Sequence, residues 1–213
     1  MNEADWNTCI HPHPMLEFLQ GRLCERKFRL FGVACCRRIW HLLTDERSRQ
    51  AIEAAEGYAD KNVSPDEIIK IEESAQLVTN SLQFSLDQQR AHAASLTAAL
   101  WAPVSWTAAQ AAFYVSMSST DEASDERKKQ SYFLRDIFGN PFKPIALDRS
   151  WRSGNVVALA QTIYDERAFD RMPILADALE DAGCTSAEML NHCRVDGVHV
   201  RGCWALDLVL GKE

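Results

Sequence analysis

The stretch Glu25-Arg26-Lys27-Phe28-Arg29-Leu30-Phe31-Gly32-Val33-Ala34-Cys35-Cys36-Arg37-Arg38-Ile39-Trp40-His41-Leu42-Leu43 decides the fold class. Its apolar residues Phe28, Phe31, Cys35, Ile39 and Leu42 follow one another at intervals of 3, 4, 4 and 3. A second row, Val33, Cys36, Trp40 and Leu43, runs beside the first. Intervals of three and four place both rows on one side of an α-helix, whereas a half-buried strand needs an interval of two. Together the rows form one wide face for burial, with Arg29, Arg37 and His41 nearer its edges.

The same period and the same kind of punctuation extend in both directions. Thr44 or Asp45 caps a helix over Glu46–Asp60. Ser64-Pro65-Asp66-Glu67 is a helix start: Ser64 can accept from a free backbone N–H, Pro65 sits where its missing donor costs nothing, and Glu67 can reach back to the cap. Ser119-Thr120-Asp121-Glu122 and Thr185-Ser186-Ala187-Glu188 repeat the pattern. Further helices are expected over Leu82–Trp101, from Pro103 to Met117, over Asn155–Phe169, over Met172–Ala182 with Gly183 as its stop, and from near Gly202 through Leu210. No strand alternation of useful length appears, so the expected strand content is below about a tenth. The fold class is all-α: a single multi-helix domain, residues 1–213, of about eight to ten helices. The Pro/Gly break Gly139-Asn140-Pro141-Phe142-Lys143-Pro144, extending to residue 154, is the best candidate for a sub-boundary.

Composition narrows the class further. Of 213 residues, 46% are apolar and 25% charged, the balance of a globular chain able to bury a core. The net charge of −7 argues against nonspecific nucleic-acid binding. Charge is unevenly spread. Arg22, Arg26, Lys27, Arg29, Arg37 and Arg38 lie between residues 22 and 43, whereas residues 51–130 carry twelve acids against six bases. Internal charge matching is the simplest outcome. Residues 91–120 hold no Lys, Arg, Asp or Glu, but Ser, Thr, Gln and Pro103 prevent a membrane span. In that stretch Ala93, Ala94, Ala98, Ala99, Ala108, Ala109, Ala111 and Ala112 let helices approach closely, and Leu96, Leu100, Trp106 and Phe113 add large apolar surface. It is expected to be the central hairpin of the core, with the C-terminal helix packed on it. The odd count of seven cysteines and the acidic, polar N-terminus predict reduced thiols in a cytoplasmic protein.

Several stretches also carry a resemblance. Pro14–Leu19, Cys35-Cys36-Arg37-Arg38, Leu134-Arg135-Asp136-Ile137-Phe138-Gly139-Asn140-Pro141-Phe142, Ile163–Arg171 and His199-Val200-Arg201-Gly202-Cys203-Trp204 resemble a large paralogous set of uncharacterised planctomycete bacterial proteins. The resemblance implies a bacterial, cytoplasmic protein and brings no activity or site residues with it.

Candidate chemistry concentrates near the C-terminus. Three of the seven cysteines (Cys184, Cys193, Cys203) and two of the six histidines (His192, His199) fall within twenty positions. Cys184, Cys193, His199 and Cys203, with His192 as a substitute, could supply thiolate and imidazole ligands to zinc. Against that, no Cys-x-x-Cys knuckle is present, and cysteine is at home in a core as a small apolar group. Cys35 and Cys36, beside Arg37 and Arg38, have cations that could lower a thiol pKa, but both lie on the apolar helix face. Cys9, His11 and His13 are held extended by Pro12 and Pro14. Glu166 with Asp170, and Asp177 with Asp181, read as solvated ion-pair faces among Arg167 and Arg171. No phosphate loop, nucleophile elbow or His-Glu-x-x-His is present.

These features predict a non-catalytic helical interaction or regulatory module, acting on an unidentified protein partner or on itself, with no membrane or nucleic-acid role and no cofactor. The alternative is a zinc-binding protein using the C-terminal Cys/His residues. A third reading is an enzyme whose site only the fold assembles.

Overall fold

The computed structural model describes residues 1–21, 24–79, 84–99, 104–118, 123–195 and 197–212. Among the described residues 75% are helical and no strand forms. Among the described residues twelve α-helices follow one another: α1 (Glu3–Thr8), α2 (Pro12–Leu19), α3 (Glu25–Arg38), α4 (Glu46–Ala59), α5 (Pro65–Thr79), α6 (Leu86–Ala99), α7 (Val104–Ser118), α8 (Ala123–Phe138), α9 (Gly154–Glu166), α10 (Met172–Asp181), α11 (Ala187–Arg194) and α12 (Trp204–Leu210). The count exceeds eight to ten because the N-terminus adds two short helices. In α1, Asn2 and Asp5 cap each other reciprocally. In α2, Pro12 takes the first helical position, where its missing N–H is harmless, so the Cys9–Pro14 stretch is not extended throughout. No described helix is long and apolar enough to cross a membrane.

The chain forms two compact units, Met1–Leu134 and Arg135–Glu213, divided within α8. In the first unit α3, α6 and α7 approach closely through small residues. A Cβ placed on Gly32 would lie 3.7 Å from both Ala98 and Ala111, ordinary contact distance. Ala91, Ala94, Ala98, Ala108, Ala111 and Ala112 are buried there, while Phe113 and Met117 face outward. The side chains of Ala99 and Trp106, together with Leu100, Arg22 and the Ser119–Glu122 cap, lie outside the described residues. The basic residues of α3 are matched internally. Arg26 pairs with Asp60 at 3.0 Å, Arg37 with Glu56 at 2.7 Å and Arg38 with Glu126 at 2.9 Å. Arg29 donates to the Ala98 carbonyl and lies over the Tyr58 ring. Asp45 caps α4 through the Arg47 N–H, and Ser64 caps α5 through the Glu67 N–H.

The second unit has its own core, built from α9, α10, α11 and α12. α12 packs on α9 and α11 within this unit. Gly183 (φ +87°) ends α10, with the Cys184 N–H bonded to the Leu179 carbonyl and the Gly183 N–H to that of Glu180. Ser186 caps α11 through the Met189 N–H. The Pro/Gly break falls inside this unit, because Ile145, Leu147 and Trp151 pack the long connection onto the core.

Candidate metal centre

Four side chains meet in the second unit, delivered by the ends of three elements. Asp136 comes from the last turn of α8, His192 from the last turn of α11, and His199 and Cys203 from the segment that leads into α12. Local chemistry fixes each position. Gly139 leaves α8 at φ +66°, and a Cβ there would sit 3.2 Å from the Trp204 ring, so glycine lets the break pass directly over the indole. Gly202 turns at φ +89°, with the Cys203 N–H bonded to the Val200 carbonyl, and Cys203 is the N-cap residue of α12. Arg201 anchors this turn on the end of α9. Its guanidinium donates to the Tyr164 and Asp165 carbonyls, both at 3.2 Å, and lies over the Tyr164 ring. Cations at a helix C-terminus satisfy its free carbonyls and its dipole. The stretches Leu134–Phe142, Ile163–Arg171 and His199–Trp204, far apart in sequence, thus build one place.

The donor atoms converge. Asp136 Oδ1 lies 2.6 Å from His199 Nδ1 and 3.3 Å from His192 Nε2. Cys203 Sγ lies 3.1 Å from His192 Nε2 and 3.8 Å from His199 Nδ1. One ligand atom from each residue fits within a span of 4.8 Å, and among the described residues this is the one such group of three or more. Asp136 Oδ2 accepts the Val200 N–H at 2.9 Å. The two imidazoles meet edge to face at 4.9 Å, and the Trp204 indole lies 4.8 Å from His192. Asp136 is 2% exposed, His199 5% and Cys203 0%, while the His192 side chain retains 18%.

Burial by itself would raise the Asp136 carboxyl, but hydrogen bonds from His192 and His199 outweigh it and hold the group below the usual carboxylate range. Burial, and then the nearby Asp136 charge, push the Cys203 thiol well above its ordinary value. A thiol so placed is a poor nucleophile. The ring nitrogens make the same point. A Cys-His-Asp relay uses opposite nitrogens of one imidazole, one for the nucleophile and one for the carboxylate. Here each histidine turns a single nitrogen toward both Cys203 and Asp136. That pattern suits a common centre and does not suit a relay.

Three of the separations approach those of a tetrahedral ion, and the group as a whole, spanning up to 4.8 Å, would have to draw in to hold one. Metal bonds of about 2.0–2.1 Å to nitrogen or oxygen and about 2.3 Å to sulfur give ligand-to-ligand edges of about 3.3–3.6 Å. The 3.1, 3.3 and 3.8 Å separations bracket that range. The 2.6 Å Asp136–His199 contact is a hydrogen bond, and it would have to open by roughly 0.7 Å for both atoms to ligate one ion. His199 Nε2 is buried with no hydrogen-bond partner.

The remaining sequence candidates fall elsewhere. Cys184 and Cys193 belong to the apolar core of the unit, outside the converging group. Burial, then the nearby Asp136 charge, push the Cys193 thiol up to about 12. Cys35 and Cys36 are fully buried, and burial pushes the Cys36 thiol up to about 12. Cys9 donates to the His11 carbonyl, and exposed His13 lies 3.7 Å from Glu17. Glu166 faces Arg171, and Asp177 pairs with Arg194. Asp136 is the residue that sequence reasoning did not select. Its signal was an acid set beside Phe133, Leu134, Ile137 and Phe138, all of which are buried.

No known protein family, no curated protein and no solved structure matches this chain.

Proposed function

We propose that the chain is a non-catalytic helical protein whose C-terminal unit binds a zinc-class divalent metal ion through Asp136, His192, His199 and Cys203. The observation that carries this reading is the convergence of four unlike donors, each imidazole offering one nitrogen to both the carboxylate and the thiol. One thiolate, two imidazoles and a carboxylate form a donor set that zinc favours. The buried thiol and the misaligned nitrogens speak against a cysteine enzyme. The test is elemental analysis of protein purified without a histidine tag, followed by melting with and without a chelator. About one zinc per chain and a chelator-induced fall in melting temperature are expected, because metal-binding free energy adds to folding free energy. Metal-free protein that takes up no added zinc and melts alike in both conditions refutes the proposal.

A second reading, an interaction module, is favoured by exposed apolar residues in the first unit. Leu77 of α5 is 65% exposed and Phe113 of α7 is 59% exposed. Light scattering across a concentration series tests self-association, which should weaken in Phe113→Ser if that surface pairs two copies.

A further inference from the structure

We infer that the ion at this site is four-coordinate and closed, a tetrahedral S/N/N/O centre of the zinc or cobalt class with no position left for water or substrate. This rests on the metal-binding reading and adds the coordination and the role.

The carboxylate decides the ligand count. Asp136 Oδ2 is held by the Val200 N–H at 2.9 Å, so Oδ1 alone faces the centre and the group binds through one oxygen. A carboxylate fixed in this way by a backbone donor is a common outer-shell device of metal sites. One oxygen, two nitrogens and one sulfur already complete a tetrahedron. The surroundings are largely dry: Asp136, His199 and Cys203 are all buried, and His192, packed on the Trp204 indole, keeps 18% side-chain exposure. Catalytic zinc sites differ on this point: they keep three protein ligands and an open position. The thiolate and imidazoles also discriminate among ions, because magnesium, calcium and manganese prefer all-oxygen shells. The ion would therefore join the end of α8, the end of α11 and the 199–203 turn, and its role is structural.

Cobalt(II) added to metal-free, full-length protein reads the coordination directly. Strong visible d–d bands of a tetrahedral ion are expected, with a near-ultraviolet thiolate-to-cobalt charge-transfer band. Azide, a small anion that enters open positions, should leave the spectrum unchanged. Cys203→Ser should lose the charge-transfer band, whereas Cys193→Ser should keep it. A protein that takes up no cobalt overturns the metal reading and this inference with it. Cobalt bound with the weak bands of a six-coordinate ion, or a spectrum that shifts with azide, leaves metal binding intact and overturns the closed centre. A charge-transfer band that survives Cys203→Ser overturns the assigned ligand set. The azide arm uses the unaltered chain, so it stands whether or not the variants fold.

Discussion

Asp136→Asn perturbs the site where its geometry is least forgiving. The side chain keeps its shape and loses its charge and one of its two acceptor oxygens. In the native protein both oxygens are used: Oδ1 accepts from His199 at 2.6 Å and Oδ2 from the Val200 N–H at 2.9 Å. In the variant one donor is met by an amide N–H instead of an oxygen. A change of tautomer at His199 gives no escape, because moving its proton to Nε2 leaves that N–H buried without a partner. A hydrogen bond to a charged group is worth about 1.5–3 kcal/mol, and an unsatisfied buried donor costs about 1–3 kcal/mol. The two terms overlap, so a loss of about 2–4 kcal/mol is expected. Urea unfolding should be measured with a chelator present, so that only the hydrogen-bond network is read. At about 2 kcal/mol per molar urea, the midpoint should fall by about 1–2 M. Peptide-resolved hydrogen exchange should place the lost protection in residues 187–210. A loss below about 0.5 kcal/mol, or protection lost only in the first unit, would refute the reasoning that the buried carboxylate holds this turn together.

Cys35 and Cys36 should react with a thiol reagent only as fast as the native protein opens, since both are buried and their thiolates are suppressed; rapid labelling of the folded chain contradicts this. Asp45→Ala removes the α4 cap and should cost about 0.5–2 kcal/mol in a thermal melt. Hydrogen bonding from Arg47 holds the Asp45 carboxyl at about 2, below its ordinary 3.8. Its contribution is therefore complete above the unfolded-state value and fades as pH falls through about 2, so the wild-type and Asp45→Ala stabilities should converge at the acid end. Gly139→Ala should lose about 1–3 kcal/mol, from a left-handed φ and a Cβ pressed on Trp204, while Gly32→Ala should be neutral or gain up to about 1 kcal/mol because its Cβ meets ordinary contacts. Equal effects at the two glycines would show that backbone handedness is not the cause.

The fold was legible wherever the signal was local. Asp45, Ser64, Ser186 and Gly183 act within a few residues of themselves, and each caps or stops the helix that its neighbours predict. The two helices missed at the N-terminus are too short for periodicity to register, with six and eight residues. The cap of α1 is an Asn-x-x-Asp pair, reciprocal like the Ser-x-x-Glu pattern but spelled differently. The Pro/Gly break misleads as a boundary for a related reason. Proline and glycine report that a helix stops, whereas Ile145, Leu147 and Trp151, partly buried against the second core, decide to which unit the connection belongs.

The site was half legible, and the missing half follows from how ligands are assembled. Spacing rules for zinc work when a tight knuckle brings two ligands together, because the backbone alone then fixes their distance. Here only His199 and Cys203 are neighbours in that sense, four residues apart around the Gly202 turn. His192 reaches them from the end of α11, and Asp136 from a helix more than fifty residues upstream, so no local pattern joins the set. What the sequence does contain is a conflict. An acid among Phe133, Leu134, Ile137 and Phe138 follows a helical period that asks for burial, and a buried carboxylate is costly unless it is paired or coordinated. Such a residue requires a partner of opposite character elsewhere in the chain. In this chain the partners are the imidazoles of His192 and His199, which Asp136 meets at 3.3 and 2.6 Å. Glu56 and Glu126 carry the same conflict and meet Arg37 and Arg38; Asp136 meets two imidazoles instead, and that pairing makes the site.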